Sequence, residues 1–182
     1  MEWIPSSSGK VVQGMPASAF PTPREDRYFE DYVVGSVHEF GPIVATEEEM
    51  IAFAARYDPQ SFHVDPEAAR TSRFGGLIAS GWFTAALAMR LWVDHVVSSV
   101  ASQGSPVVNK LRWIRPVRPG DELSMRVIIR GSRISRSDPD WGVVDFSIEV
   151  KNQKRETVMT LQTVGLFLRR ERMSGRSEGT PG

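Results

Sequence analysis

Ser80-Gly81-Trp82-Phe83-Thr84-Ala85-Ala86-Leu87-Ala88-Met89-Arg90-Leu91-Trp92-Val93-Asp94-His95-Val96-Val97 is the stretch on which the fold turns. It is long enough for a helix. Trp82, Phe83, Leu87, Met89, Leu91, Trp92, Val93 and Val96 make it apolar almost all round, as expected of a helix enclosed on most sides. The charge-free run from Phe74 to Met89 is shorter than the ~20 apolar residues that span a bilayer. Arg90 and Asp94 then break it. The stretch therefore reads as the buried helix of a soluble protein, with no membrane partner.

Downstream, the chain reads as strands from Val107 onward. Leu123, Met125, Val127 and Ile129 alternate with mostly polar residues, as do Val144, Phe146, Ile148 and Val150, which is the period of half-buried strands. Thr157 to Leu168 is a less regular strand of central character. Turns at Arg118–Asp121, Ser137–Asp140 and Asn152–Lys154 suggest an antiparallel meander. Upstream, Thr46 and Glu49 form a T-x-x-E capping signal before the stripe Met50, Ile51, Phe53, Ala54, Tyr57. Pro59 stops that helix at Asp58. Asp65-Pro66 opens a further short turn of helix. Helices first and strands after give an α+β domain, with an antiparallel sheet wrapped around the long central helix.

The bulk numbers agree with one domain. The chain has 182 residues, 41% hydrophobic and 24% charged. Residues 1–26, rich in Pro, Ser and Gly, are expected to be a flexible arm, 27–170 the domain, and 171–182 a disordered tail. The absence of cysteine excludes disulfides, thiolate nucleophiles and Cys-ligated zinc, and fits a reducing cytoplasm. Twenty-two basic and 22 acidic residues cancel, which gives no support for nucleic acid as a partner. The amino terminus carries no charged segment followed by an apolar run, so no secretory signal is read. Three scattered histidines give no metal-binding pattern, and Gly75-Gly76 lies in no phosphate-loop context.

The chemistry is concentrated in Tyr57-Asp58-Pro59-Gln60-Ser61-Phe62-His63-Val64-Asp65-Pro66. Asp58 follows a helix C-terminus, where the dipole disfavours an anion and should raise its pKa. An imidazole titrates at about 6.5 when unperturbed, so His63 can exchange protons near neutrality. Together the two could hold one water and move its protons. Taken alone, the same residues also read as a loop aspartate before proline and a structural histidine. Ser61 lies beside the pair, but no G-x-S-x-G elbow surrounds it.

Asp58-x-x-x-x-His63-x-Asp65, then Ala68, then Phe74-Gly75-x-x-Ile78-Ala79-x-Gly81 at the start of the long helix, resembles the MaoC-like dehydratases, among them the (R)-specific enoyl-CoA hydratases. The resemblance spans roughly residues 28 to 168 and implies the hotdog fold. It implies that Asp58 and His63 are the catalytic pair and that the Gly81 N–H binds the thioester oxygen, a role suited to a free helix N-terminal amide. Gln60, Phe62, Phe74, Gly76, Ser80 and Trp82 would line the substrate pocket. The bulky Trp82 and Phe83 would shorten it. The reaction implied is reversible hydration of an enoyl-CoA to a 3-hydroxyacyl-CoA, with no cofactor beyond the coenzyme A of the substrate. The implied assembly is a homodimer or a dimer-based higher oligomer, joined through sheet edges or long helices. Two positions depart from the hydratase pattern: Gln60 stands near where Asn-Pro is usual, and Ser80 where His often precedes the glycine. A thioesterase of the same fold, or a non-catalytic acyl-thioester-binding subunit, are the alternatives; His63 counts against the first.

Lys110, Arg112, Arg115 and Arg118 form a basic cluster able to meet coenzyme A phosphates, or equally a solvated strand face or subunit contact. Trp92 and Trp113 are expected in a core or interface, His38 and His95 in structural positions, and Arg90 with Asp94 as a helix-surface pair.

Overall fold

A computed structural model describes residues 19–171. Of the arm and tail expected from sequence, residues 1–18 and 172–182 lie outside the described residues. The elements run in the order 3₁₀ turn Phe29–Asp31, β1 Val37–Val44, α1 Glu47–Tyr57, α2 Ser61–Val64, α3 Pro66–Arg70, α4 Gly81–His95, β2 Val107–Trp113, β3 Glu122–Ile134, β4 Trp141–Lys151 and β5 Thr157–Leu168.

The five strands form one antiparallel sheet in the order β1-β3-β4-β5-β2, and the long helix α4 packs against it. This is the expected α+β hotdog. Alternation does what the sequence predicts: Leu123, Met125, Val127 and Ile129 of β3 and Val144, Phe146, Ile148 and Val150 of β4 are all buried. They meet Phe83, Leu87, Ala88, Leu91 and Trp92 of α4 in a single core cluster.

Three expectations are corrected. A strand, β1, precedes the helices, so the order is not helices then strands. The meander is confined to β3-β4-β5, because β2 crosses over to pair with β5 at the far edge. And α4 is not enclosed on most sides: Trp82, Met89 and Val93 are 60%, 55% and 41% exposed, one stripe that a single sheet leaves uncovered.

Both ends of α4 are fixed by side chains. At the start, Ser80 is the N-cap and its hydroxyl accepts from the Trp82 N–H. At the end, the buried Arg27 guanidinium donates to the carbonyls of His95 (2.8 Å) and Val96 (2.9 Å), and the Tyr32 hydroxyl donates to Val96 O (2.8 Å). A cation suits that end of a helix and satisfies carbonyls with no intrahelical partner. Taking those carbonyls, Arg27 and Tyr32 end the helix at His95, two residues before the expected Val97. Arg27 also lies over the ring of Phe20, itself stacked on His38. His95 stacks on Phe40, and Arg90 pairs with Asp94 at 2.7 Å. The chain enters and leaves the domain side by side: the Arg170 guanidinium donates to Asp31 (2.6 Å), and its N–H donates to the Glu30 carboxylate (3.0 Å).

Candidate active site

The site is built where three short elements meet. Thr46 caps α1 by accepting from the Glu49 N–H, but its hydroxyl bonds the Glu49 carboxylate, so the capping box closes side chain to side chain. Pro59 ends α1 at Asp58, which is its C-cap. The chain then re-enters helix for one turn, Ser61–Val64, which periodicity cannot reveal in four residues. Asp65 accepts from the N–H groups of Glu67 and Ala68 to start α3 with Pro66 in its first turn. The break and the extra turn bring His63 back towards Asp58: Nε2 stands 3.4 Å from Asp58 Oδ2.

Three consecutive residues, Ile78-Ala79-Ser80, hold the pair. The Ile78 carbonyl accepts from His63 Nδ1 at 2.8 Å. The Ile78 N–H donates to Phe62 O, and the Ala79 N–H to Val117 O. The Ser80 hydroxyl donates to Asp58 Oδ2 at 2.7 Å. A carbonyl can only accept, so His63 carries a proton on Nδ1 and, when neutral, offers a lone pair at Nε2. Two acceptors, Nε2 and the Asp58 carboxylate, therefore face one another, an arrangement suited to a molecule with two protons to donate. His63 is 6% exposed, so its ring orientation is set by packing as well as by this bond.

The expected rise in the Asp58 pKa is reversed. Gln60 Nε2 donates to Oδ1 at 2.7 Å and Ser80 to Oδ2, and these bonds, the Gln60 bond foremost, hold the carboxyl below its ordinary 3.8 against the opposing effect of burial. The two positions that depart from the hydratase pattern are thus the two donors to this carboxylate.

Gly81 is the first residue of α4, where an N–H has no intrahelical acceptor. Its carbonyl accepts from Trp113 Nε1 at 2.8 Å, and a Cβ on Gly81 would stand 2.6 Å from the Trp113 ring. Phe62 and Phe74 face each other at 5.0 Å, and Phe62 meets His63 edge-on at 4.5 Å. Trp82 is exposed and edge-on to Trp113, while Phe83 is buried against Phe53. Trp92 is in the core and Trp113 is exposed.

The four basic residues divide. Lys110 and Arg112 line a shallow recess with Ser147, Thr160 and Gln162. Arg115 donates to Thr157 O, and Arg118 to Phe74 O beside Gly76. Trp113 and Arg118 are the contacts that sequence reasoning assigned otherwise, since both act across more than 30 residues of chain. Among the described residues, no helix is long and apolar enough to cross a membrane, and no group of three or more His, Cys, Asp or Glu is placed to hold a metal.

A family model described as MaoC like domain matches residues 31–151. The chain is 39% identical over 115 residues to 3-hydroxyacyl-thioester dehydratase Z of Mycobacterium tuberculosis, covering 62% of this chain and 76% of that protein. It is 30% identical over 129 residues to the protein YdeM of Bacillus subtilis, covering 71% and 90% respectively. The crystal structure of the MaoC-like dehydratase from Rhodospirillum rubrum is similar at a TM-score of 0.71 and 37% identity, covering 80% of this chain and 99% of that one.

Proposed function

The chain belongs to the MaoC-like domain family, and from that premise we propose that it is an acyl-thioester hydro-lyase, interconverting an enoyl and a 3-hydroxyacyl thioester. The observation that carries this reading is the facing pair of acceptors, His63 Nε2 and Asp58 Oδ2, 3.4 Å apart, with Nδ1 committed to Ile78.

In the hydration direction, one water donates a hydrogen to each acceptor. Asp58, held low in pKa, stays a carboxylate and orients the water. His63, with Nδ1 held by the Ile78 carbonyl, presents the Nε2 lone pair that takes the proton. As the water oxygen bonds to the β-carbon, His63 Nε2 takes its proton and the π pair moves to the α-carbon and thioester oxygen. The Gly81 N–H stabilises that oxygen at the helix N-terminus. The imidazolium, stabilised by Asp58, returns the proton to the α-carbon from the same side, giving syn addition. Dehydration runs the same steps backward.

The thioester would be of coenzyme A or of a carrier protein bearing the same arm. The exposed stripe of α4 and the free sheet edge of β2 are the surfaces through which a homodimer would form. Light scattering at the monomer mass would contradict this.

The test follows the enoyl-thioester absorbance band with crotonyl-CoA and longer or branched enoyl-CoAs, beside a free-thiol assay. Loss of the band without thiol release, reduced by orders of magnitude in D58N and H63A with folding intact, is the expected result. Thiol release would convert the reading to a thioesterase, and near-normal turnover by either variant would remove the pair from the mechanism.

A further inference from the structure

We propose that Arg118 is a positioning residue that latches the Phe74–Gly76 loop over the acyl site and so sets which acyl chains the site accepts; this rests on the hydro-lyase reading above.

The loop is held chiefly at one point. Arg118 Nη2 donates to the Phe74 carbonyl at 2.6 Å. Among the described residues, the other hydrogen bonds of residues 73–76 are local ones to Ser72, from the N–H groups of Phe74 and Gly75. Gly75 and Gly76 have φ of +64° and +151°, conformations that suit glycine and let the chain turn sharply after Phe74. Arg118 Nη1 stands 3.3 Å from where a Gly76 Cβ would be, so the missing side chain leaves the guanidinium its passage.

The base of the latch is rigid. The Arg118 N–H donates to Asp121 Oδ2 at 2.8 Å, and Asp121 Oδ1 accepts from Gln153 at 2.9 Å. The neighbouring Val117 is buried, and its carbonyl accepts from the Ala79 N–H in the segment that holds both Asp58 and His63. The loop side leads to the same place: the Phe74 ring meets Phe62, and Phe62 meets His63. Arg118 thus spans from the turn before β3 to an aromatic wall that ends on the proton-transfer residue. Its guanidinium is exposed, so the latch can be undone without opening the core.

This differs from a phosphate contact in what it predicts. A latch acts on every substrate with the same acyl group, whatever carries it. A phosphate contact acts only on thioesters of coenzyme A.

The experiment uses the full chain and its R118M and R118K variants. Trypsin cleavage after Arg73, identified by fragment mass, reports loop opening independently of activity. R118M is expected to be cut about tenfold faster with an unchanged Tm, and R118K to restore part of the protection, since a single charged hydrogen bond is at stake. The ratio of kcat/KM for long or branched against four-carbon enoyl thioesters is expected to change by about tenfold in R118M, equally for coenzyme A and N-acetylcysteamine thioesters. A rise in KM confined to the coenzyme A thioesters, with cleavage unchanged, would overturn the latch in favour of a phosphate contact. Faster cleavage with an unaltered acyl ratio would overturn the role in specificity. Faster cleavage where the unaltered protein turns over no enoyl thioester would sink the hydro-lyase reading while supporting the latch.

Discussion

Ser80 Oγ donates its hydrogen to Asp58 Oδ2 at 2.7 Å and itself accepts from the Trp82 N–H, so one buried hydroxyl both starts α4 and holds the carboxylate of the site. S80A removes both contacts. A lost N-cap costs about 0.5–2 kcal/mol and a lost hydrogen bond to a charge about 1.5–3 kcal/mol. Urea denaturation should show a fall within the sum of those ranges, and turnover should fall with it. An unaltered kcat would mean that the position of Asp58 does not depend on this bond.

The depressed pKa of Asp58 makes a prediction about pH. A carboxyl held below its unfolded 3.8 contributes stability that is present above that value and lost as pH falls through the folded value. Gln60 is the leading cause, so Q60L should raise the folded pKa. Its stability deficit should be full at pH 6 to 7 and shrink below about pH 4, and the acid limb of kcat/KM should move to higher pH. A deficit independent of pH would assign Gln60 to packing instead.

Gly81 is under the Trp113 ring. G81A places a methyl 2.6 Å from the indole and should destabilise the protein by about 1–3 kcal/mol, as overpacking does. In the double variant G81A/W113A part of that loss should be recovered, a coupling visible in a thermal double-mutant cycle. Additive losses would show that the ring moves aside freely.

Asp145, half-buried on β4 opposite Gly131, has its pKa raised by burial, which outweighs the opposing pull of Arg133. The sign is opposite to that of Asp58: its protonated form favours the fold below the unfolded pKa, and that advantage is lost as pH rises through the folded value. D145N should therefore be as stable as the parent or more so at pH 7 and lose its advantage towards pH 3. Denaturation midpoints at the two pH values decide the matter.

Arg27 ties the descending end of α4 to residues 20–32. R27M keeps an apolar stem but leaves the His95, Val96 and Thr22 carbonyls without this donor. Val96 O keeps the Tyr32 donor, and the His95 and Thr22 carbonyls are only part-buried, so a fall of about 1–3 kcal/mol is expected. Amide exchange should rise first in the last turn of α4. Protection lost evenly across the sheet would place the effect elsewhere.

What could be read from the sequence was what repeats or what a single residue type enforces. Alternation revealed β3 and β4, Pro59 set the end of α1, and Asp65-Pro66 the start of α3. β1 was hidden because Gly41-Pro42 interrupts its alternation, where the pairing with β3 also shifts register. The proximity of Asp58 and His63 was legible from spacing and resemblance. The direction of the Asp58 pKa was not, because it rests first on a Gln60 bond whose formation the spacing leaves open, and then on a serine 22 residues away that only the folded chain brings into contact. The open stripe on α4 was hidden too, since an apolar residue reads alike whether or not its own sheet covers it.

The bonds from Arg170 to Glu30 and Asp31 carry a consequence for rearrangement of the chain. With residues 26–31 and 169–170 lying together, a short peptide could join residues 26 and 170 and new ends be opened in the turn at Ser135–Pro139. The same adjacency would let the domain be grafted into a surface loop of a host protein, or doubled in tandem, with little strain at the junctions.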